Sequence, residues 1–329
     1  MLNLLGQVYL STEDWARAEQ VIDTLKRIPS DSAQAAGDQL RLQVISRVEG
    51  RDQGIAFLES MTESENNSSA AKIALIRARL SQDRTDEALA LANELVAEFP
   101  DSTSARQVLA NTQFAIGKAE DAEETLRQVA EETGNGSDVL QYARVLGAQG
   151  KSEQAEQVIE EGLKSSPENP DLLWARASYL ERANDIDGAI EIYEKIYEAN
   201  TSSQIVANNL ASLLATYRDD DVSLERAFSV ARRLRDTQVA PFQDTYGWIL
   251  FRRGETEEAL SYMEPAAQAL TSDPIVQYHL GRIYEELGRK DDAIKQYDAA
   301  IGIAGESDPR EQISDASTRK SELSQAVQE

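Results

Sequence analysis

Small residues recur along this chain at a spacing that suits stacked helix pairs. Gly247 and Gly281 lie 34 residues apart, and each is followed by a Gly seven residues on (Gly254 and Gly288) and by an Ala further along (Ala259 and Ala293). Upstream, the same slot is filled by Ala211, Ala177, Ala143, Ala110, Ile76, Val44 and Gly6, with Ala227, Ala189, Ala155, Ala122, Ala88, Ala56 and Ala18 as their partners. A small residue on one helix facing an Ala on the next lets two backbones approach without a bulky side chain between them. Larger residues are then expected to fill the seams: Leu280 and Tyr284 in the last copy, and Leu109, Phe114, Leu126 and Val129 in the fourth. Pro29, Pro100, Pro167, Pro170, Pro241 and Pro274 fall near the boundaries, where chain breakers belong. Asp and Ser beside some of them, as in Ser272-Asp273-Pro274, suit helix N-caps.

The clearest copy, Asp273 to Ala300, reads DPIVQYHLGRIYEELGRKDDAIKQYDAA. It resembles the tetratricopeptide repeat, a helix-turn-helix unit of about 34 residues. The resemblance covers nearly the whole chain. It implies an all-α, right-handed α-solenoid of about nine helix pairs over residues 1–305, weaker over 1–69 and clear over 70–305, closed by a capping helix in 306–329. That last segment carries Ile313, Ala316, Leu323 and Val327 on one side of a polar helix, after a break at Gly305 to Pro309.

Some stretches depart from the pattern. Gly6 to Val44 is about four residues too long, and Glu63 to Ser69 reads as an exposed, mobile polar loop. Tyr217 to Ser223 is expected to lengthen the turn of the seventh pair. The run Asn208 to Ala215, that acidic turn and Asp244-Thr245-Tyr246-Gly247-Trp248 resemble bacterial tetratricopeptide proteins of envelope and exopolysaccharide-export (PEP-CTERM-type) systems. Ser212 stands where that subgroup usually has Trp. The resemblance favours the periplasm or envelope over the cytoplasm, although MLNLLGQVYLSTEDW is no signal peptide. That opening reads as a repeat joined partway through its first helix in a longer protein, with Leu2, Leu5 and Tyr9 on a stacking face open to a further copy.

Charge narrows the partners. With 33 basic and 58 acidic side chains the formal net charge is -25, which repels phosphate backbones and anionic lipid surfaces. Nucleic acid is therefore not an expected partner, and no apolar run approaches the roughly 20 residues needed for direct membrane insertion. The absence of cysteine removes disulfides, thiolate nucleophiles and zinc-thiolate sites. Catalysis has little else to use. The one histidine, His279, has no His or carboxylate at helical metal-pair spacing and is expected at the surface or an edge. Asp219-Asp220-Asp221 lacks the central Gly and distal Glu of a calcium loop and reads as a solvated turn. Gly134-Asn135-Gly136 reads as a turn between pairs rather than a phosphate loop. No cofactor is expected.

Binding has more to use. The resemblance implies that the first helices line a concave face, with side chains three before and one after the small slot pointing into it. Those positions include Arg41, Arg77, Gln107, Asn111, Arg144, Trp174, Asn208, Trp248, Tyr278 and Arg282. Arg, Asn and Gln can bond the main chain or carboxylates of an extended peptide, and Trp and Tyr are strong interface anchors. Packing between adjacent units is the alternative for several of them, Trp248 above all. The Lys-Asn-Asn-Lys-Arg set with which some family members grip acidic chaperone tails is absent; Gln107, Asn111 and Arg144 come nearest and lack the lysines. The expectation is a non-enzymatic scaffold that holds a protein or peptide segment. A self-assembling spacer, or the repeat part of a larger protein whose activity lies elsewhere, are its rivals.

Overall fold

The computed structural model describes residues 1–63, 69–305 and 308–326. It divides into two compact bodies, Met1–Ser165 and Ser166–Glu329. The first body holds five helix pairs: α1 (Leu2–Ser11) with α2 (Trp15–Arg27), α3 (Asp31–Val48) with α4 (Arg51–Glu63), α5 (Ser69–Leu80) with α6 (Thr85–Glu98), α7 (Thr103–Ala115) with α8 (Ala119–Thr133), and α9 (Gly136–Ala148) with α10 (Ser152–Ser165). The second holds four: α11 (Pro170–Arg182) with α12 (Ile186–Ala199), α13 (Gln204–Tyr217) with α14 (Asp221–Ala231), α15 (Ala240–Arg252) with α16 (Thr256–Ala269), and α17 (Pro274–Glu286) with α18 (Lys290–Ala304). A single helix, α19 (Glu311–Ala326), follows them. Among the described residues there is no strand, and no helix is long and apolar enough to cross a membrane. The expected polar loop at 63–69 lies mostly outside the described residues, as does Val327.

The same local chemistry shapes most pairs. Side-chain oxygens cap the first helices: Ser102 accepts from the Ala105 N–H at 3.2 Å, Asn169 from Leu172 at 3.1 Å and Asp273 from Ile275 at 2.9 Å. Pro170 and Pro274 then occupy the first turn, where a missing N–H costs nothing. At the turn inside a pair the chain passes through a left-handed residue, Gly254 (φ +83°) or Gly288 (φ +72°). The next N–H closes back on the first helix, Glu255 to the Leu250 carbonyl at 2.9 Å and Arg289 to Tyr284 at 2.8 Å. Glu13, Asp83 and Asn184 hold the same conformation in their own pairs without being glycine.

Helix crossing follows the small-residue pattern. Ala18, Ala88, Ala110, Ala122, Ala155, Ala177, Ala189, Ala211, Ala227, Ala259 and Ala293 are all fully buried. A Cβ built on Gly247 would meet the Ala259 carbonyl at 3.2 Å, and one on Gly281 would meet the Tyr297 ring at 2.6 Å. The second pair is the exception. Ala56 is exposed, and it is Gly54 that packs there, its missing Cβ facing Ser46 and Leu42. The pairing of Val44 with Ala56 is therefore displaced, and the four extra residues upstream appear as the long α3, 18 residues against 13 for α17.

Other expectations are corrected in detail. Leu280, Tyr284, Leu126 and Val129 are buried, but Phe114 is 41% exposed. Phe114 is four residues past its small slot, whereas Tyr284 is three past, so it is rotated off the buried stripe. The insertion in the seventh pair does not lengthen its turn. α13 ends at Tyr217 and α14 begins at Asp221, because Asp220 caps the Ser223 N–H at 2.9 Å and starts the helix early. On α1, Leu2 and Tyr9 pack against the core, while Leu4, Leu5 and Val8 form the exposed apolar side.

Alanine at Gly281 gains roughly 1 kcal/mol of helix propensity but must displace a ring that is fully buried and bonded to Glu285. We expect Gly281→Ala to lose about 1–3 kcal/mol net in urea unfolding, as overpacked cores do. Gly247→Ala, with its nearest atom at 3.2 Å, should lie close to neutral. Equal stability of the two variants would contradict this account of the crossing.

Candidate partner-binding face and C-terminal cleft

The residue one position after the small slot is Arg77 on α5, Asn111 on α7 and Arg144 on α9. All three are exposed, and none of their side chains has a hydrogen-bond or ion-pair partner among the described residues. They form a row of free donors on successive first helices of one body. Arg41, on α3, is different: it pairs with Glu19 at 2.8 Å and Asp23 at 3.4 Å on α2. Gln107 is drawn inward, its Nε2 donating to the buried carboxylate of Asp138 on α9. Thr133 Oγ1, at 2.7 Å, donates to that carboxylate as well, so the charge is buried with partners.

In the second body Trp174 is half-buried and meets Tyr193 edge-on, with centroids 5.6 Å apart. It borders a hollow of about 360 Å³ with Leu173, Ile196 and Val206. Asn208 is half-buried on α13, with Nδ2 3.4 Å from Asn209 Oδ1 and its own Oδ1 buried without a partner among the described residues. Trp248 and Tyr278 hold face positions by register, with packing between units as the alternative, above all for Trp248. They are only 7% and 5% exposed and form the wall of a cleft of about 420 Å³. Burial of this kind follows from their neighbours, since Trp248 stacks on His279 with centroids 3.9 Å apart and planes within 16°.

His279 is the residue that sequence reasoning misplaced. It is 4% exposed, and its Nδ1 lies 2.9 Å from Asp244 Oδ1 on the preceding first helix. The two are 35 residues apart, about one repeat, so the usable signal was the repeat register rather than spacing within a helix. Arg252 closes another side of the cleft. It donates to the Ala215 carbonyl at 2.7 Å and to Asp219 Oδ1 at 3.2 Å, satisfying the C-terminal end of α13.

α19 supplies the remaining wall. Its own Ile313 and Ala316 are buried. The Tyr278 hydroxyl donates to Asp315 Oδ2 at 2.8 Å and accepts from Arg282 at 2.9 Å. Arg319 bridges Asp315 at 2.6 Å and Glu285 at 3.2 Å. Burial pushes the Asp315 carboxyl up, but the hydrogen bonds from Arg319 and Tyr278, with the charges of Arg319 and Arg282, outweigh it and hold the group below its ordinary range. Arg282, expected to face a partner, thus faces the chain's own last helix.

A carboxyl depressed in the folded state contributes stability above its unfolded pKa, about 3.9, and that contribution is lost as pH falls through the folded value. We expect Asp315→Asn to cost about 1 kcal/mol at neutral pH, with the gap from the parent protein closing in acid below about pH 4. Urea titrations across that range measure it. A gap independent of pH would show that the Asp315 contacts do not fasten α19.

Comparison with known proteins agrees with this architecture. Tetratricopeptide repeat models match residues 51–111 and 79–148, and again 140–204 and 246–309. The crystal structure of the APC/C hetero-tetramer Cut9-Hcn1 is similar with a TM-score of 0.50 at 14% identity, over 94% of this chain and 59% of that one. A TPR repeat-containing protein of Pseudomonas aeruginosa is 29% identical over 139 residues, which is 42% of this chain and 23% of the relative. Human tetratricopeptide repeat protein 16 is 26% identical over 170 residues, 49% of this chain and 20% of the relative. The matched stretches thus span about a quarter or less of the curated relatives. The matching repeat models, the paired helices and the shared turn chemistry together place the chain in the tetratricopeptide repeat family, a family of protein–protein interaction scaffolds.

Proposed function

We propose that this protein is a non-enzymatic scaffold that holds an extended partner segment along its first-helix face, within a bacterial envelope or polymer-export assembly. The observation that carries the reading is the row Arg77, Asn111 and Arg144, three exposed donors without partners among the described residues. Several other guanidiniums of the acidic chain are engaged internally, as with Arg226 and Glu194 at 3.0 Å or Arg319 and Glu285, although the exposed Arg27, Arg232 and Arg235 are also without side-chain partners among the described residues. Free guanidiniums at repeat spacing suit carboxylates on a partner, and Asn between them suits main-chain amides. The envelope setting is supported by the likeness of Asn208 to Ala215 to export-associated repeats.

Arg77→Ala combined with Arg144→Ala should reduce partner capture at least tenfold while the helical circular dichroism signal stays unchanged. Capture by the parent protein should also weaken as salt is raised, as expected for exposed charge pairs. Undiminished capture by the double variant would remove the face from consideration. A captured partner confined to the cytoplasm would remove the envelope setting.

Leu4, Leu5 and Val8, 70%, 40% and 47% exposed, favour a second reading in which copies associate through α1. Sedimentation over a wide concentration range should then show reversible dimers or longer assemblies, abolished by Leu4→Glu with Val8→Glu. A monomer at every concentration would exclude it.

A further inference from the structure

We propose that the hollow beside Trp174 receives a long basic side chain, lysine or arginine, of the bound segment. This deepens the scaffold reading and rests on it for the source of that side chain. The hollow lies wholly within the second body, between α11, the end of α12 and the start of α13. Its volume is about 360 Å³, and its apolar lining includes Leu173, Trp174, Ile196, Ile205 and Val206. Leu173, Ile196 and Val206 are buried, whereas Trp174 is half-buried and Ile205 is 57% exposed, so the apolar surface reaches solvent. Apolar concavities with a few polar groups at their edge are where side chains and small ligands bind.

The polar edge decides what fits. It consists of Glu168, Asp171, Asn200 and Ser203. Asn200 Oδ1 accepts from the Ser202 N–H at 3.1 Å and from the Ser202 hydroxyl at 2.6 Å, and Ser203 Oγ accepts from the Val206 N–H at 3.4 Å. Those oxygens serve the local turn. Glu168 and Asp171 are exposed, and neither carboxylate has a partner among the described residues. Asp171 is not needed to start α11, because Asn169 Oδ1 accepts from the Asp171 and Leu172 N–H groups, each at 3.1 Å. No basic side chain among the described residues lines the hollow.

An apolar recess beside two free carboxylates selects on both properties. A neutral apolar side chain would fill the recess, but the segment carrying it would cover the carboxylates without pairing them, which costs free energy. An acidic side chain would meet like charge in a chain whose net charge is already -25. Lysine and arginine lay an aliphatic stem along apolar surface and keep the charged head at its edge. An indole wall favours the same occupant, since Trp attracts a nearby cation more strongly than Phe or Tyr.

The test uses the whole ¹⁵N-labelled protein at low ionic strength. It reads the indole N–H signal that Trp174→Phe removes, one of three from the tryptophans. The probes are the Nα-acetyl methylamides of lysine, arginine, norleucine and glutamate; norleucine keeps the lysine stem without its charge. A basic probe should move the signal saturably in the millimolar range set by its size, and the tighter of the two identifies the preferred head group. It should bind at least about threefold more tightly than norleucine, the gain expected from exposed charge pairs. Glutamate should leave the signal in place, and added salt should close the gap to norleucine. Glu168→Gln with Asp171→Asn should close it as well; if that variant does not fold, the probe comparison on the parent protein still decides. An unmoved signal with both basic probes, norleucine binding as tightly as the better of them, or a gap that survives in the folded double variant would overturn the proposal. The row at Arg77 and Arg144 lies in the first body, so lost capture there with an intact response at Trp174, or the reverse, shows which reading has failed.

Discussion

Close approach of two helix backbones is the constraint on which the rest of this fold depends. At Gly281 there is no room for even one methyl group before the Tyr297 ring, and the slot alanines elsewhere are fully buried. Only small residues permit that contact, and the contact lets Leu280, Tyr284 and Tyr297 close the seam around it. Tyr297 in turn donates from its hydroxyl to Glu285 at 2.5 Å, so a buried ring ends at a satisfied polar edge. Packing and hydrogen bonding are thus joined in one side chain, and the Glu it reaches is the residue that Arg319 of α19 also grips.

Contacts between neighbouring pairs follow a second rule, polar pairing across about one repeat length. Asp244 with His279, Gln107 with Asp138 and Arg252 with the end of α13 are each 31 to 37 residues apart. Exposed pairs of this kind contribute under about 1 kcal/mol each. The buried ones matter more, because removing one partner strands the other in a dry setting. They also determine which face residues remain free. Arg41 and Arg282 are engaged by neighbours, whereas Arg77 and Arg144 have none among the described residues. A row of free donors in a chain of net charge -25 is therefore a local exception to an acidic surface.

The last helix changes the meaning of the clearest repeat. Tyr278 and Arg282 occupy face positions by register, yet α19 covers them with Asp315 and Arg319. What remains at that end is a cleft rather than an open groove. Its aromatic wall is held by Asp244 and its charges are balanced in place.

The sequence by itself determined the helix pairs, their nine-fold repetition and the small-residue crossings, because each depends on residues at fixed short spacing: a cap, a left-handed turn, an alanine opposite a slot. Where insertions intervened, local reading failed: Gly54 rather than Ala56 packs in the second pair, and the extra residues of the seventh do not lengthen its turn, because its second helix starts early at Asp221. Only the tertiary structure decided which face residues are free. The partners of Trp248, His279 and Arg282 lie on the same helix, on the adjacent first helix or on α19, and a pairing energy between elements leaves no periodic mark in the chain. For His279 the deciding contact is a carboxylate 35 residues away, close enough to bond only after two helices have stacked.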